Sequence, residues 1–133
     1  MSSNRKMLKI LSLVQIVFAV LCFVMASLVF NGTPRVEGDA DVLTFLTANL
    51  DAVLCTITAF LTAFCAIDGI KGANRPSALG AHLVVAILVA IAGAAACALS
   101  PAIQGLSVVC VLDAVLAIAA AVFDKKVRAE IDR

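Results

Sequence analysis

The chain has 133 residues, of which 63% are hydrophobic, and its formal net charge is +1. A soluble domain is nearer half apolar, so the composition excludes an ordinary water-soluble domain, and the small net charge excludes a basic surface for nucleic acid. Four apolar runs, at 8–30, 43–67, 79–99 and 102–123, each reach the roughly 20 residues with which a helix crosses a bilayer. The sequence therefore predicts a single all-α integral membrane domain over residues 1–133.

The first two runs carry small or weakly polar residues at steps of three and four, which places those residues on one face of each helix. In the first run this face contains Ser12, Gln15, Ala19, Cys22 and Ala26. In the second run it contains Thr44, Thr47, Asp51, Cys55, Thr58, Thr62 and Cys65. Helices in a bilayer associate through small and polar faces, so we expect these residues, the four threonines included, to form a polar seam facing the bundle interior. A threonine that bonds back to its own helix would serve packing alone.

The third and fourth runs are each preceded by a short turn. Residues 68–78, which contain glycines and a proline, predict one turn, and Ser100–Pro101 predicts a minimal second one. The inward faces of these two runs hold His82, Ala86, Ala90, Gly93 and Cys97, and then Cys110, Asp113, Ala117 and Ala120. Because short links force neighbouring spans to be antiparallel, the predicted fold is a four-transmembrane-helix up-down-up-down bundle.

Basic residues fix the expected orientation of this bundle. All of them except Arg35 fall before or at the very start of the first run, between the second and third, or after the fourth. The positive-inside rule then predicts that both termini are cytoplasmic. The alanine- and valine-rich composition is typical of a bacterial chain, so we expect a multi-pass protein of the inner (plasma) membrane.

An internal repeat indicates two tandem helical hairpins. The letters LDAVL occur at 50–54 and again at 112–116, and QIVFAVL at 15–21 resembles HLVVAIL at 82–88. The first pair of segments is 62 residues apart and the second pair is 67 residues apart. A second outer loop that is five residues shorter than the first would account for the difference. We therefore predict two hairpins related by a pseudo-two-fold axis along the membrane normal.

Four rare polar side chains fall at a similar depth in the predicted spans: Gln15, Asp51, His82 and Asp113. At about 1.5 Å per residue, Gln15 and His82 lie roughly 9 Å from the cytoplasmic end, and the two aspartates lie roughly 15–18 Å from the outer end. In a core ~30 Å thick, all four then fall within about 5 Å of one level. Aspartate is unfavourable against lipid, so both should point inward. We expect a polar layer with paired aspartates at the bundle axis, tuned by the histidine and the glutamine.

Two functions are open for this layer. As a clasp it would fix the register of the helices, and the chain would be a structural or accessory membrane component, in a homo-oligomer or beside a larger membrane protein. Alternatively, intramembrane acids mark ion and proton pathways, and the chain would be a small ion- or proton-coupled transporter or channel acting as an oligomer. The sequence has no CxxC, HExxH or glycine-rich phosphate loop, and its five cysteines are scattered. We therefore expect no enzyme, no metal and no cofactor, with the lipid bilayer as the principal partner.

Overall fold

A computed structural model of the chain describes residues 2–32, 38, 41–99 and 104–131, and all regular structure in these ranges is helical. The α-helices are α1 (Ser3–Phe30), α2 (Val42–Ala48), α3 (Leu50–Asn74), α4 (His82–Ala98) and α5 (Gln104–Ile131). Three segments, Ser3–Phe30, Leu50–Asn74 and Gly105–Ile131, are long and apolar enough to cross a membrane, and α4 is a shorter apolar helix. The predicted turn at Ser100–Pro101 and most of the loop before α2, Arg35 included, lie outside the described residues.

The four longer helices pack around one interior. α1 contacts α3 and α5, and α4 contacts the same two helices. Arg5, near the start of α1, donates to the carbonyl of Asn74 at the end of α3, and Arg128, near the end of α5, donates to the carbonyl of Gly80 before α4. The beginnings of α1 and α4 therefore lie at the same end of the assembly as the ends of α3 and α5.

Polar and small side chains occupy the interior of this assembly, and large aliphatic side chains cover its exterior. Gln15 and His82 are fully buried, whereas Leu28, Phe64 and Ile91 are each 62% exposed. A water-soluble protein shows the reverse distribution, and its exposed apolar patches are small. The apolar exterior and the three long apolar helices are compatible with a protein embedded in a membrane.

The second apolar run is divided in the structure. Its pattern predicts a continuous helix over 43–67, but α2 ends at Ala48 and α3 begins at Leu50. Asn49 joins them with φ −110° and ψ 33°, and its Nδ2 donates to the carbonyl of Phe45 at 3.0 Å. Asparagine side chains that bond the nearby backbone compete with regular helix, which accounts for the interruption.

The turn predicted over 68–78 is shorter than expected, because α3 continues to Asn74 and includes Gly69 and Gly72. A Cβ on Gly72 would come within 2.2 Å of Leu79 Cδ2. Glycine at this position therefore permits close packing instead of ending the helix. Small residues have this role where helices approach each other in a bilayer.

The chain reverses between α3 and α4 through a 3₁₀ turn at Pro76–Ala78 and through Gly80. The φ of Gly80 is +53°, in the left-handed region that glycine adopts readily. α4 consequently begins at His82, inside the predicted run of 79–99, and has 17 residues. His82 thus sits in the first turn of its helix, beside the end of the assembly that contains Arg128.

Arg5 fastens the start of α1 to the end of α3. Its Nε donates to the carbonyl of Ala73 at 2.7 Å and its Nη2 to that of Asn74 at 2.6 Å, and these carbonyls lack partners within the helix. We expect Arg5→Ala to lower the free energy of unfolding in detergent by about 1 kcal/mol, because charged donors then leave both carbonyls. Thermal unfolding of Arg5→Ala measures the effect. Lys6→Ala, which alters the exposed neighbouring residue in the same helix, is the control. Equal losses in the two variants would contradict it.

Candidate functional site: two polar clusters in the helix interior

One buried network joins all four of the longer helices. Gln15 of α1, Cys65 of α3, His82 of α4 and Asp124 of α5 are each fully buried. Arg128, one helical turn after Asp124, has a 38% exposed side chain and forms the outer end of the network. We call these five residues the histidine network.

Distances order the histidine network from the interior to the exposed end. Gln15 Nε2 donates to Cys65 Sγ at 3.6 Å, and Cys65 Sγ lies 3.5 Å from His82 Nε2. His82 Nδ1 lies 2.6 Å from Asp124 Oδ2. A neutral imidazole that carries its proton on Nδ1 donates to the carboxylate and accepts the thiol proton on Nε2. One tautomer of His82 therefore satisfies both of its ring nitrogens.

Arg128 balances the charge of the buried carboxylate. Its Nε donates to Asp124 Oδ1, and its Nη2 donates to the carbonyl of Gly80 at 2.8 Å. A guanidinium provides several fixed donors and remains charged, so it pairs with a carboxylate that has lost its water. The hydrogen bond from Arg128 to Gly80 ties α5 to the turn that precedes α4.

Asp113 of α5 lies in a second polar cluster, beside α1 and α3. Its Oδ2 accepts a hydrogen bond from Thr62 Oγ1 at 2.6 Å and a weaker one from Cys22 Sγ at 3.7 Å. Asp113 is fully buried, and among the described residues its Oδ1 has no hydrogen-bond partner. An unpaired carboxyl oxygen in an apolar interior is unfavourable, so a proton or a cation bound there would relieve the penalty.

Asp51 lies apart from Asp113, whose Oδ2 contacts Thr62 and Cys22. Asp51 occupies the first turn of α3, is 3% exposed, and accepts the backbone N–H of Ala52 at 2.9 Å. Thr62, which contacts Asp113, lies about 16 Å further along the same helix. The two aspartates therefore do not meet as a pair at the bundle axis. His82 and Gln15 do come together, through Cys65.

Two of the predicted seam threonines, Thr58 and Thr62, are fully buried in α3. Thr62 bonds Asp113, whereas the hydroxyl of Thr58 donates back to the carbonyl of Leu54 at 2.8 Å. Back-bonding satisfies a threonine without a partner on another helix. Thr62 thus takes part in the polar cluster around Asp113, whereas Thr58 contributes only to helix packing.

The other two seam threonines, Thr44 and Thr47, lie exposed on α2. Asp41 caps that helix by accepting the backbone N–H of Thr44 at 2.8 Å. Hydrogen bonds from Thr44 lower the pKa of the Asp41 carboxyl, because they stabilise its charged form. The interruption at Asn49 removes this half of the predicted seam from the interior.

Sequence reasoning missed Asp124, which follows directly after the fourth run, 102–123. The inward face of that run, which includes Asp113, Ala117 and Ala120, reaches Asp124 at the next step of four residues. Extending the face by one turn, together with Arg128 four residues later, would have found the ion pair. A charge beside the expected membrane boundary is easily read as solvated, and the structure instead buries it completely.

Cys65, His82 and Asp124 follow the thiol–imidazole–carboxylate order that activates nucleophilic cysteines. Full burial of the sulfur and the imidazole separates both from any dissolved substrate. The amide of Gln15 also contacts the sulfur from α1. The arrangement therefore favours hydrogen bonding between helices, or movement of a proton along the network, over attack on a substrate.

Three of the cysteines meet near Asp113. The sulfurs of Cys22, Cys55 and Cys110 all lie within 4.8 Å of one another, and all three residues are buried. We call these three residues the thiol cluster. Thiolates at such distances are ligands for soft metal ions, although the scattered spacing of the cysteines in the sequence predicted packing alone.

Two features thus stand out in the interior: the histidine network, which links four helices, and Asp113 with the neighbouring thiol cluster. No protein-family model, curated protein or solved structure that we compared with the chain matches it.

Proposed function

We propose that the chain is a four-span integral membrane protein, in which α1, α3, α4 and α5 cross the bilayer up-down-up-down with both termini cytoplasmic. The apolar exterior supports this, as does the basic end that contains Arg5 and Arg128. α4 has 17 residues and is about 26 Å long, slightly less than a ~30 Å core. Local thinning of the bilayer or the residues flanking α4 would cover the difference.

Within this membrane domain, the function best supported is that of a structural or accessory component of the inner (plasma) membrane. One observation carries the proposal: hydrogen-bonding side chains from four helices meet in a single buried chain, Gln15–Cys65–His82–Asp124. Helices in lipid gain no hydrophobic driving force from each other, so polar contacts and close packing must fix their register. A bundle fixed in this way presents rigid apolar faces to lipid, to a second copy or to a larger membrane protein.

Purified protein in sealed liposomes tests this role. With an imposed pH or potassium gradient, we expect no flux above that of protein-free liposomes, whereas His82→Ala should lower the midpoint of thermal unfolding in detergent. Asp113→Asn should also leave flux at background. A gradient-driven flux that Asp113→Asn abolishes would reject the structural role.

Ion or proton transfer is a second candidate, favoured by the unpartnered Oδ1 of Asp113. A carboxyl in this position would hold a proton or a small cation in mid-membrane. Thr62 and Cys65 lie three residues apart on α3, so the cluster around Asp113 and the histidine network adjoin. Together they would form a polar path from the basic end of the bundle inward.

Measurements of flux and of stability on the same set of variants distinguish the structural role from ion or proton transfer. Transfer predicts that Asp113→Asn abolishes flux while retaining most of the stability, because the amide still accepts from Thr62. The structural role predicts background flux in every variant, with stability losses concentrated in the histidine network. Asp51→Asn is the matched aspartate control, since Asp51 lies about 16 Å along α3 from Thr62, the residue that contacts Asp113.

A further inference from the structure

We propose that the thiol cluster is a binding site for a soft, thiophilic metal ion, Zn²⁺ or Cu⁺, bound by Cys22, Cys55 and Cys110. This site is independent of the histidine network and of the proposed structural role. Its ligands come from α1, α3 and α5, so a bound ion would join three helices.

The spacing of the sulfurs suits a metal–thiolate centre. Cys55 Sγ and Cys110 Sγ are 3.8 Å apart, and no pair of the three exceeds 4.8 Å. Tetrahedral Zn²⁺ with Zn–S bonds of about 2.3 Å holds neighbouring sulfurs about 3.8 Å apart. Small rotations of the side chains would therefore bring all three sulfurs into one coordination sphere.

The oxygens of Asp113 provide a second, independent indication of a ligand. Asp113 Oδ2 lies 3.7 Å from Cys22 Sγ, and Oδ1 is buried without a partner among the described residues. Carboxylate oxygen is an accepted Zn²⁺ ligand, and a fourth position next to three thiolates completes a tetrahedron. Asp113 is placed either to fill that position or to accept the proton that Cys22 loses when it binds the ion.

Charge and surroundings determine which ion is preferred. Each thiol that ligates releases a proton, so three thiolates with Zn²⁺ carry a net charge of −1 when Asp113 takes up the proton of Cys22, and −2 when its carboxylate fills the fourth position. Cu⁺ leaves one more negative charge in either case. The cluster is surrounded by buried apolar side chains that include Ala26, Ala52 and Leu106. Uncompensated charge is unfavourable there, so we expect Zn²⁺ to be the tighter of the two ions.

The test measures metal bound per chain by the intact protein in detergent. The protein is stripped with a chelator, loaded separately with Zn²⁺ and with Cu⁺ under reducing conditions, desalted and analysed by mass spectrometry of the metal. We expect about one Zn²⁺ per chain, and Co²⁺ in its place should show sulfur-to-cobalt charge-transfer absorption from a tetrahedral site. One Cu⁺ per chain with no Zn²⁺ retained would support the proposed metal site and would identify Cu⁺ as its preferred ion.

Matched cysteine variants keep the test specific. Cys55→Ala and Cys110→Ala should each lose the bound metal, and the alanine-rich surroundings favour retention of the fold. Cys97→Ala, which alters a half-buried cysteine on α4 outside the cluster, should bind like the unmodified chain. Asp113→Asn should weaken affinity about 10–100-fold, as loss of a supporting ligand partner does. Retention of neither ion by the folded protein, or unchanged binding by Cys55→Ala, would overturn the proposal.

Discussion

Replacing Asp124 with alanine is expected to lower the free energy of unfolding by about 3 kcal/mol or more, the largest loss among the substitutions considered. The carboxylate accepts from His82 Nδ1 at 2.6 Å and from Arg128 Nε, and its side chain is fully buried. Alanine would leave the buried imidazole N–H without its acceptor and the guanidinium without its counter-ion. Removal of the buried carboxylate is strongly destabilising chiefly because the fully buried imidazole of His82 remains without its partner, whereas Arg128, 38% exposed, can regain water.

Thermal and denaturant unfolding in detergent measures this loss, with Asp68→Ala as the matched control. Asp68 is a half-buried aspartate on α3 toward the same end of the assembly. We expect that control to change stability by less than about 0.5 kcal/mol. Asp124→Asn should fall between the two, since an amide oxygen still accepts from His82 but does not balance Arg128.

A double-mutant cycle shows whether His82 and Asp124 act as a unit. Residues in direct contact within one network have coupling energies of about 0.5–3 kcal/mol. If the losses from His82→Ala and Asp124→Ala simply add in the double variant, the two side chains do not stabilise the bundle through each other.

The periodic part of the fold could be predicted from the sequence. Steps of three and four placed Ser12, Gln15 and Cys22 on one face of the first run, and all three are fully buried. The inward face of the fourth run was predicted equally well, since Cys110 and Asp113 are also fully buried. A single helix imposes this periodicity, so it requires no knowledge of the neighbouring helices.

Local interruptions and contacts between helices were not predictable in the same way. Asn49 interrupts the second run through a bond from its own side chain to the Phe45 carbonyl, while the apolar pattern continues across it. Counting residues from assumed membrane boundaries placed Asp51 level with Asp113. That estimate treated 43–67 as one straight helix. The relative depth of two residues on different helices depends on where each helix begins, which periodicity does not specify.

The sequence predicted the types of residue in the candidate site better than it predicted which of those residues contact each other. His82 was expected beside a carboxylate, and it has one, but the carboxylate belongs to Asp124. The thiol cluster was hidden for the same physical reason. Cys22, Cys55 and Cys110 lie far apart in the sequence and meet only because α1, α3 and α5 face one interior.

Replacing Gly69 with alanine is expected to destabilise the bundle by about 1–3 kcal/mol, although alanine favours helix by about 1 kcal/mol over glycine. An added Cβ would lie 2.0 Å from Ser12 Oγ and 3.1 Å from His82 Nε2. The Ser12 hydroxyl is buried and donates to the carbonyl of Leu8 at 2.8 Å, so it cannot move without losing that bond. Overpacking at Gly69 would separate α1 from α3 and displace the imidazole of the histidine network.

Two comparisons isolate this steric cause. Gly105→Ala places a Cβ 2.8 Å from the terminal methyl of Met25, a flexible group that can turn away, so the same substitution there should be neutral or stabilising. Combining Ser12→Ala with Gly69→Ala removes the closest clashing atom and should recover part of the lost stability. Recovery would show that close approach of α1 and α3 requires glycine at position 69. If Gly69→Ala instead matched Gly105→Ala in sign, helix propensity would dominate at both positions, and the packing of His82 would not depend on this contact.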